Sequence, residues 1–507
     1  MNTEIYALKK NKTWTLVPPS SEMTIVHNKW VYRIKLNADG SIERFKARLV
    51  AKGFQQVPGV DFFETYSPVV KPCTIRLMFT MAVTYGWEIQ QLDINNAFLN
   101  GELKEAVYMY QPQGFVDPQF PNHVCKLNKA IYGLKQAPRA WFDKLKQSLQ
   151  QWGFSNSKAD SSLFFSNTNG KLLLILVYVD DILITGHDQH QVQHVISTLQ
   201  SKFALKILGP VSYFLGFEVI RDGSHLYLTQ HKYTKDLLNS TQMNDSKSQP
   251  TPMCSTTKLS QHTGTPMKNP TMYRSVLGAL QYLTMTRPDI AFAVNRLSQF
   301  QQAPTSDHWS ACKRILRYLS GTLHEGLHFA PAKTLDLQGF TDADWAGCYD
   351  DRKSTSGYCI YFGGNLVSWC SKKQTVVARS STESEYRALA LATTELVWIQ
   401  SVLKEVGIPF QHCPILWCDN LGAGSLASNP VFHARTKHIE VDLHFVRDKV
   451  IAQELDVRYV DTSHQIADIF TKPLAATPFL HFRNKLTHVS DMYNLRGDVE
   501  IQEEDHR

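Results

Sequence analysis

Asp180 and Asp181 follow each other directly inside an otherwise apolar stretch, Tyr178-Val179-Asp180-Asp181-Ile182. Adjacent carboxylates raise each other's pKa, and no basic residue neighbours them in sequence. A divalent cation would relieve the repulsion, because Mg²⁺ takes hard oxygen ligands; an ion-free Asp-Asp hairpin turn is the plain alternative. A third carboxylate, Asp93, ends the strand-like stretch GWEIQQL, and a helix is expected to start among Asn95 and Asn96. The elements that must carry the pair are the short apolar runs 172–179 (LLLILVYV) and 182–185 (ILIT). Their length and flanking turn residues read as two buried strands of a hairpin with the aspartates at its tip.

One strand-end Asp beside an Asp-Asp hairpin makes up the ligand set of a polymerase palm. There two ions activate the primer 3′-oxygen and stabilise the leaving pyrophosphate. The block FKARLVAKGF (45–54) supplies positive charge for a triphosphate or a template backbone. The chain's formal net charge is +7, and residues 1–60 carry ten basic side chains against four acidic ones. That concentration favours a phosphate-bearing partner, although a solvated basic face would have the same composition.

At about 150 residues per domain, 507 residues suggest three or four domains. An apolar content of 43% with 20% charged residues excludes a disordered chain. The longest clean apolar run, eight residues, falls far short of the ~20 needed to span a bilayer. The start MNTEIYALKKNK lacks an apolar signal core. Nine cysteines without a C-x-x-C pair point to a reducing compartment. Residues 11–240 alternate β-like runs with helical stretches, and 246–271, rich in Ser, Thr and Pro, read as a linker. Residues 272–320 turn helical, with Trp309, Cys312, Ile315, Leu316 and Leu319 on one stripe and Lys313, Arg314 and Arg317 flanking it. A second α/β pattern begins near 335, with a long helix that should stop at Gly407. The acidic end DVEIQEEDHR reads as a frayed tail.

Several long motifs in one order carry a family resemblance. KARLVAKGFQQ (46–56), LDINNAFLNGEL (92–103), IYGLKQAPRAWF (131–142), YVDDIL (178–183), TDADWAGCYDDRKSTSGY, STESEY, WCDN and QIADIFTKPL closely resemble the reverse transcriptase and ribonuclease H region of copia-type LTR retrotransposon Pol polyproteins. The resemblance runs over 14–474, more than nine-tenths of the chain. It implies an α+β and α/β multidomain protein: a right-hand polymerase of fingers, palm and thumb, a helical connection, and a ribonuclease H-like α/β domain. The expected divisions are 1–250 for fingers and palm (catalytic core about 11–245), 251–333 for linker and thumb/connection, 334–480 for the ribonuclease H-like domain, and 481–507 for a tail.

Carried onto this sequence, the family's polymerase metal ligands are Asp93, Asp180 and Asp181. Phe98 takes the place of the aromatic that would clash with a 2′-hydroxyl and select deoxynucleotides. Lys46, Arg48 and Lys52 resemble the fingers' basic strand near the triphosphate, without indicating which one reaches it. Gly133, Gln136 and Pro138 resemble the nucleotide-pocket segment, with Gln136 expected to make a polar contact to the substrate. Tyr213-Phe214-Leu215-Gly216 resembles the hairpin that grips the primer end, and Lys313, Arg314 and Arg317 would be available to duplex phosphates. In the nuclease half the implied metal ligands are Asp342, Glu385, Asp419 and Asp468. Glu383 and Asp344 are neighbouring decoys, and His464 does not match the motif position of the family's mobile His.

The expected cofactor is Mg²⁺, two ions per active site, with Mn²⁺ as a substitute. Cys413, Cys418, His433 and His438 only loosely mimic zinc-finger spacing, so no structural zinc is expected; His433, Arg435, Lys437 and His438 would instead rim the hybrid. Ile207 stands where the family usually has Asp. Zinc-knuckle, protease and integrase signatures are absent, which suggests the C-terminal part of a longer polyprotein. The expected activity is RNA-directed DNA polymerisation with ribonuclease H cleavage. Its partners would be an RNA template, a DNA primer, RNA–DNA hybrid and deoxynucleoside triphosphates, with a homodimer or other retrotransposon proteins in addition and no membrane. The expected location is intracellular, a cytoplasmic virus-like particle or the nucleus. The rival is an inactive relic or a domesticated nucleic-acid-binding protein. The intact seven carboxylates argue against it.

Overall fold

The computed structural model describes residues 1–36, 41–428 and 439–489. The chain divides into two units, one of Met1–Lys71 with Glu88–Pro210, the other of Pro72–Trp87 with everything from Val211 onward.

In the first unit a basic two-stranded ribbon pairs β1 (Asn28–Leu36) with β2 (Ile42–Ala51). The aspartate-bearing sheet has six strands. Its centre is formed by β3 (Gln90–Ile94), β4 (Lys171–Tyr178) and β5 (Asp181–Gly186), with β6 (Leu205–Pro210) on the edge beside β3. The expected hairpin forms, running from Leu173↔Gly186 to Tyr178↔Asp181. Leu174, Ile175, Leu176, Ile182, Leu183 and Ile184 are all fully buried. Burial on both faces explains why these strands are continuous apolar runs rather than alternating ones. Each such side chain contributes about 1.5–3 kcal/mol. The helix α1 (Gln189–Lys202) covers the sheet with Val192, Ile196 and Leu199, its start capped by Asp188 accepting from His190 and Gln191. The helix expected after Asp93 is instead a single 3₁₀ turn, Ala97–Asn100, entered through Asn96 at φ +53°.

In the second unit α2 (Pro270–Leu283) and α3 (Ser306–Ser320) belong to a helical layer. The predicted stripe on α3 buries Cys312, Ile315, Leu316 and Leu319, while Trp309 stays partly exposed. The segment 246–271 carries only a short start of helix at its end, yet Thr251, Met253 and Leu259 are buried. A five-stranded sheet follows in the order β9 (Asn365–Lys373), β8 (Thr355–Phe362), β7 (Leu337–Asp344), β10 (Ile415–Cys418), β11 (Asp456–Tyr459). The pairs β7–β10 and β10–β11 are parallel and the others antiparallel. The long helix α4 (Ser381–Val406) packs on β7 and β8. Ser380 caps its start, and it stops at Gly407, which adopts φ +81°. The acidic end DVEIQEEDHR lies outside the described residues, as do His433, Arg435, Lys437 and His438.

Candidate active sites

The polymerase-type site is built by register. Asp181, the first residue of β5, is the direct cross-strand partner of Asp93 on β3. Only Val179 and Asp180 form the hairpin turn. Val179, a β-branched residue, sits at φ +55°, a conformation that costs energy and persists only where surroundings enforce it. They do so here: Trp141 Nε1 donates to the Val179 carbonyl at 2.6 Å, and Ile94 N donates to the Asp180 carbonyl at 2.9 Å. The turn that aims Asp180 is therefore held from both sides.

Burial, then the Asp180 charge and Asp93, push Asp181 up to about 6. Burial and Asp180 also raise Asp93, while Lys46, Lys206 and Arg48 pull it back down. Lys46 and Arg48 thus lie within electrostatic reach of the carboxylates. Lys206, the cross-strand partner of Asp93 on β6, joins them unforeseen from sequence. Ile207 pairs with Leu92 on the same edge strand and is 43% exposed. Lys52 follows β2, its backbone N–H bonded to the His27 carbonyl. Phe98 packs edge-to-face on Tyr132 with ring centroids 5.0 Å apart, and the Arg48 guanidinium lies 4.3 Å above the same Tyr132 ring.

Gln136 is fully buried, accepts from Gln56 Nε2 at 3.0 Å and donates to the Asp61 carbonyl at 3.0 Å. Each end of its amide thus has one protein partner, with one N–H and one lone pair left over. Gly133 has its reason in packing. It adopts φ +92°, and a Cβ there would overlap the Ala51 carbonyl oxygen, so side-chain loss lets this turn lie against the end of β2. Arg314 donates through Nε and Nη2 to the carbonyl and hydroxyl of Thr251. The Tyr213–Phe214 hairpin does form, pairing with Phe217 and Glu218.

The nuclease-type cluster gathers residues from four elements. Asp342 lies on β7, Glu385 on α4, Asp419 just past β10, and Asp468 in the 3₁₀ turn Ile466–Phe470. Carboxylate oxygens of Asp342, Asp419 and Asp468 lie within 4.8 Å of one another. Glu385 joins through Asp419, to which its carboxylate is equally close. Burial, then Asp342 and Asp419, hold Glu385 far above the usual carboxylate range, and its Oε2 has no hydrogen-bond partner among the described residues. Burial and Asp342 likewise raise Asp468 and Asp419. A buried, unpartnered carboxylate oxygen facing a cluster of hard donors is what a divalent cation fits.

In the nuclease-type cluster sequence reasoning missed Lys472. Its ammonium lies 3.0 Å from Asp468 and 3.5 Å from Asp342. Thr471 also donates to Asp342, and Thr462 donates to Asp419 at 3.2 Å. Both Thr471 and Lys472 stand in QIADIFTKPL, and the i,i+4 spacing of Asp468 and Lys472 was the available signal. Gly357 on β8 admits this segment, since a Cβ there would meet Phe470 and Thr471 at 2.7 Å. Glu383 and Asp344 each have protein partners of their own. Glu383 accepts from the Arg379 N–H and pairs with Arg387, which makes it the capping partner of Ser380. Asp344 accepts from the Thr355 N–H, and burial pushes it up to about 7. His464 is exposed and contacts Ser463. Cys418 is 1% exposed and Cys413 bonds the Gln453 carbonyl, while the two histidines of the loose zinc pattern lie outside the described residues.

Residues 11–255 match the family model described as reverse transcriptase (RNA-dependent DNA polymerase). The chain is 50% identical over 487 residues to the retrovirus-related Pol polyprotein from transposon RE2 of Arabidopsis thaliana, covering 96% of this chain and 33% of that protein. It is 39% identical over 491 residues to the corresponding polyprotein from transposon TNT 1-94 of Nicotiana tabacum, covering 94% and 37%. The chain thus spans about a third of the length of these curated relatives. Among solved structures, the foamy viral protease-reverse transcriptase in complex with RNA/DNA hybrid aligns with a TM-score of 0.50 at 13% identity, over 93% of this chain and 54% of that one. At that identity the likeness is one of fold, a right-hand polymerase joined to a ribonuclease H-like domain. On these matches, the chain belongs to the copia-type LTR retrotransposon Pol family, through its reverse transcriptase and ribonuclease H region.

Proposed function

We propose that the chain copies RNA into DNA and hydrolyses the RNA strand of the resulting hybrid. The observation that carries this reading is that one chain holds two separate carboxylate clusters on two sheets: Asp93 opposite Asp181 beside Asp180, and Asp342, Asp419 and Asp468 with Glu385. Asp93, Asp180 and Asp181 would hold one pair of Mg²⁺ ions and the nuclease four the other, with Mn²⁺ as a substitute. Bound there, the ions supply charge stabilisation for nucleotidyl transfer and for RNA hydrolysis. The residues themselves orient and neutralise. The doubly held Val179–Asp180 turn fixes the carboxylates, Arg48 and Lys46 bring positive charge towards the triphosphate, and Phe98 shapes the sugar site. Lys472 balances the nuclease cluster.

The substrates on this reading are deoxynucleoside triphosphates, an RNA template and a DNA primer, with RNA–DNA hybrid for the nuclease. The divisions 1–250, 251–333, 334–480 and 481–507 are proposed as fingers and palm, linker with thumb and connection, nuclease domain, and tail. No described helix is long and apolar enough to cross a membrane. A cytoplasmic particle or the nucleus is the proposed location, with a homodimer or other retrotransposon proteins as further partners.

Primer extension on an RNA template with Mg²⁺ tests the polymerase: the native chain extends, and Asp180→Asn does not while binding hybrid equally. Asp419→Asn should abolish cleavage of the RNA strand and leave extension intact. Cleavage unaffected by that change would refute the nuclease assignment.

A further inference from the structure

We propose that Tyr132 is a positioning residue of the nucleotide pocket, holding the Phe98 ring and the Arg48 guanidinium in one stack so that sugar selection and phosphate binding are set together. The inference rests on the polymerase reading and on Phe98 as its sugar gate. Phe98 meets Tyr132 edge-to-face, at 5.0 Å and an interplanar angle of 65°, while Arg48 lies 4.3 Å above the ring. Both contacts are attractive: an aromatic face is negative, so it draws a ring edge and a cation alike.

Tyr132 is the contact that Phe98 and Arg48 share. Phe98 stands partly buried on a single 3₁₀ turn entered through a left-handed Asn96, with its ring packed on the adjoining cores and edge-on to Tyr132. Arg48 Nε is buried with no hydrogen-bond partner among the described residues, and the Tyr132 face lies against the guanidinium. Tyr132 is itself fixed through its backbone. Its carbonyl accepts from Ala51 N at 2.8 Å, and Gly133 lies directly against Ala51. Backbone and side chains thus join the end of β2, which carries the cation, to the turn before the helix Ala137–Gln151. Asp93 and Asp180 are within electrostatic reach of the Tyr132 hydroxyl, which places the stack beside the carboxylates. Leucine at 132 would stay apolar but lose the face, and both the gate and the cation would drift. A misplacement of about 1 Å costs up to ~100-fold in a chemical step, and a drifting gate admits the 2′-hydroxyl it should exclude.

The experiment is primer extension by the full chain on an RNA template, with kcat and KM measured for a deoxynucleotide and its ribonucleotide counterpart. Native protein, F98A, Y132F, Y132L and F98A/Y132L are compared. F98A should lower the deoxynucleotide preference by about 10- to 100-fold, Y132L by about tenfold with a several-fold rise in KM, and Y132F, which keeps the ring, should match native. The double variant should discriminate no worse than F98A, because Tyr132 acts through Phe98. Native-like preference in Y132L alongside a relaxed F98A, or losses that add in the double variant, would overturn the inference. Should Y132L not accumulate, Y132Q carries the same expectations. Unchanged preference in F98A would instead refute the gate assignment, and no incorporation by the native chain would refute the polymerase reading.

Discussion

Lys472 holds its ammonium 3.0 Å from Asp468, four residues before it, and 3.5 Å from Asp342. Burial opposes the charge on Lys472, yet Asp342 and Asp468 outweigh it and raise its pKa. The lysine is thus the internal countercharge of a cluster that burial already drives toward protonation. Lys472→Met withdraws that countercharge, so Asp468 and Asp419 rise further and need more alkaline solution to ionise. The acid limb of the cleavage–pH profile should move up by about one unit. Hybrid cleavage across a pH series checks this. An unmoved acid limb would show that Lys472 does not hold the cluster.

Glu385 should set how the metal-free fold responds to alkali. Its folded pKa lies far above the ordinary 4.5, through burial first and then Asp342 and Asp419. The folded state therefore keeps a proton that the unfolded chain releases. Stability is fully present below 4.5 and is lost as pH rises from there through the folded value. Glu385→Gln cannot ionise, so its thermal midpoint in EDTA should fall less between neutral and alkaline pH than that of the native chain. Mg²⁺ should restore the native chain far more than the variant. Parallel curves in EDTA would mean that Glu385 is not the group responsible.

What could be read from the chain depended on whether the signal was local. The hairpin carrying Asp180 and Asp181 was legible because strands buried on both faces are uninterrupted apolar runs closed by turn residues. The helix Ser381–Val406 was legible because Gly407 marks its end, and Glu383 could be set aside because two residues from Glu385 it lies on another helix face; its capping role came only from the structure. Lys206 and Tyr132 act through cross-strand register or packing between distant segments, which no local pattern encodes; Lys472 reaches Asp342 in the same way, although its i,i+4 spacing to Asp468 was readable. The protein partners of Gln136 and Arg314 were not legible for a related reason. A motif locates a segment near a site, but which way a side chain turns is decided by partners such as Asp61 and Thr251.

Arg287 and Asp289 should show what holds the helical layer together. Two parallel bonds join them, Nε to Oδ1 at 3.0 Å and Nη2 to Oδ2 at 2.7 Å, and their side chains are 3% and 0% exposed. Arg287 also donates to the carbonyl and hydroxyl of Thr322, each at 2.7 Å, and Tyr318 donates to Asp289. The network ties the end of α3 to the segment after α2. Although burial opposes ionisation of Asp289, Arg287 holds its pKa below the ordinary 3.8, so its contribution is present at neutral pH and lost as acid brings the pH down through the folded value. Asp289→Asn removes one charge and leaves the other buried, which costs about 3–5 kcal/mol. The variant should melt several degrees lower and be cleaved sooner in limited proteolysis, while the first unit's carboxylate site is untouched. Primer extension well below the melting temperature should therefore persist. A native melting temperature in Asp289→Asn would mean that water or a rearranged Tyr318 compensates Arg287. Arg287→Met combined with Asp289→Leu, which removes both charges, should cost less than the single change if the uncompensated charge is the cause.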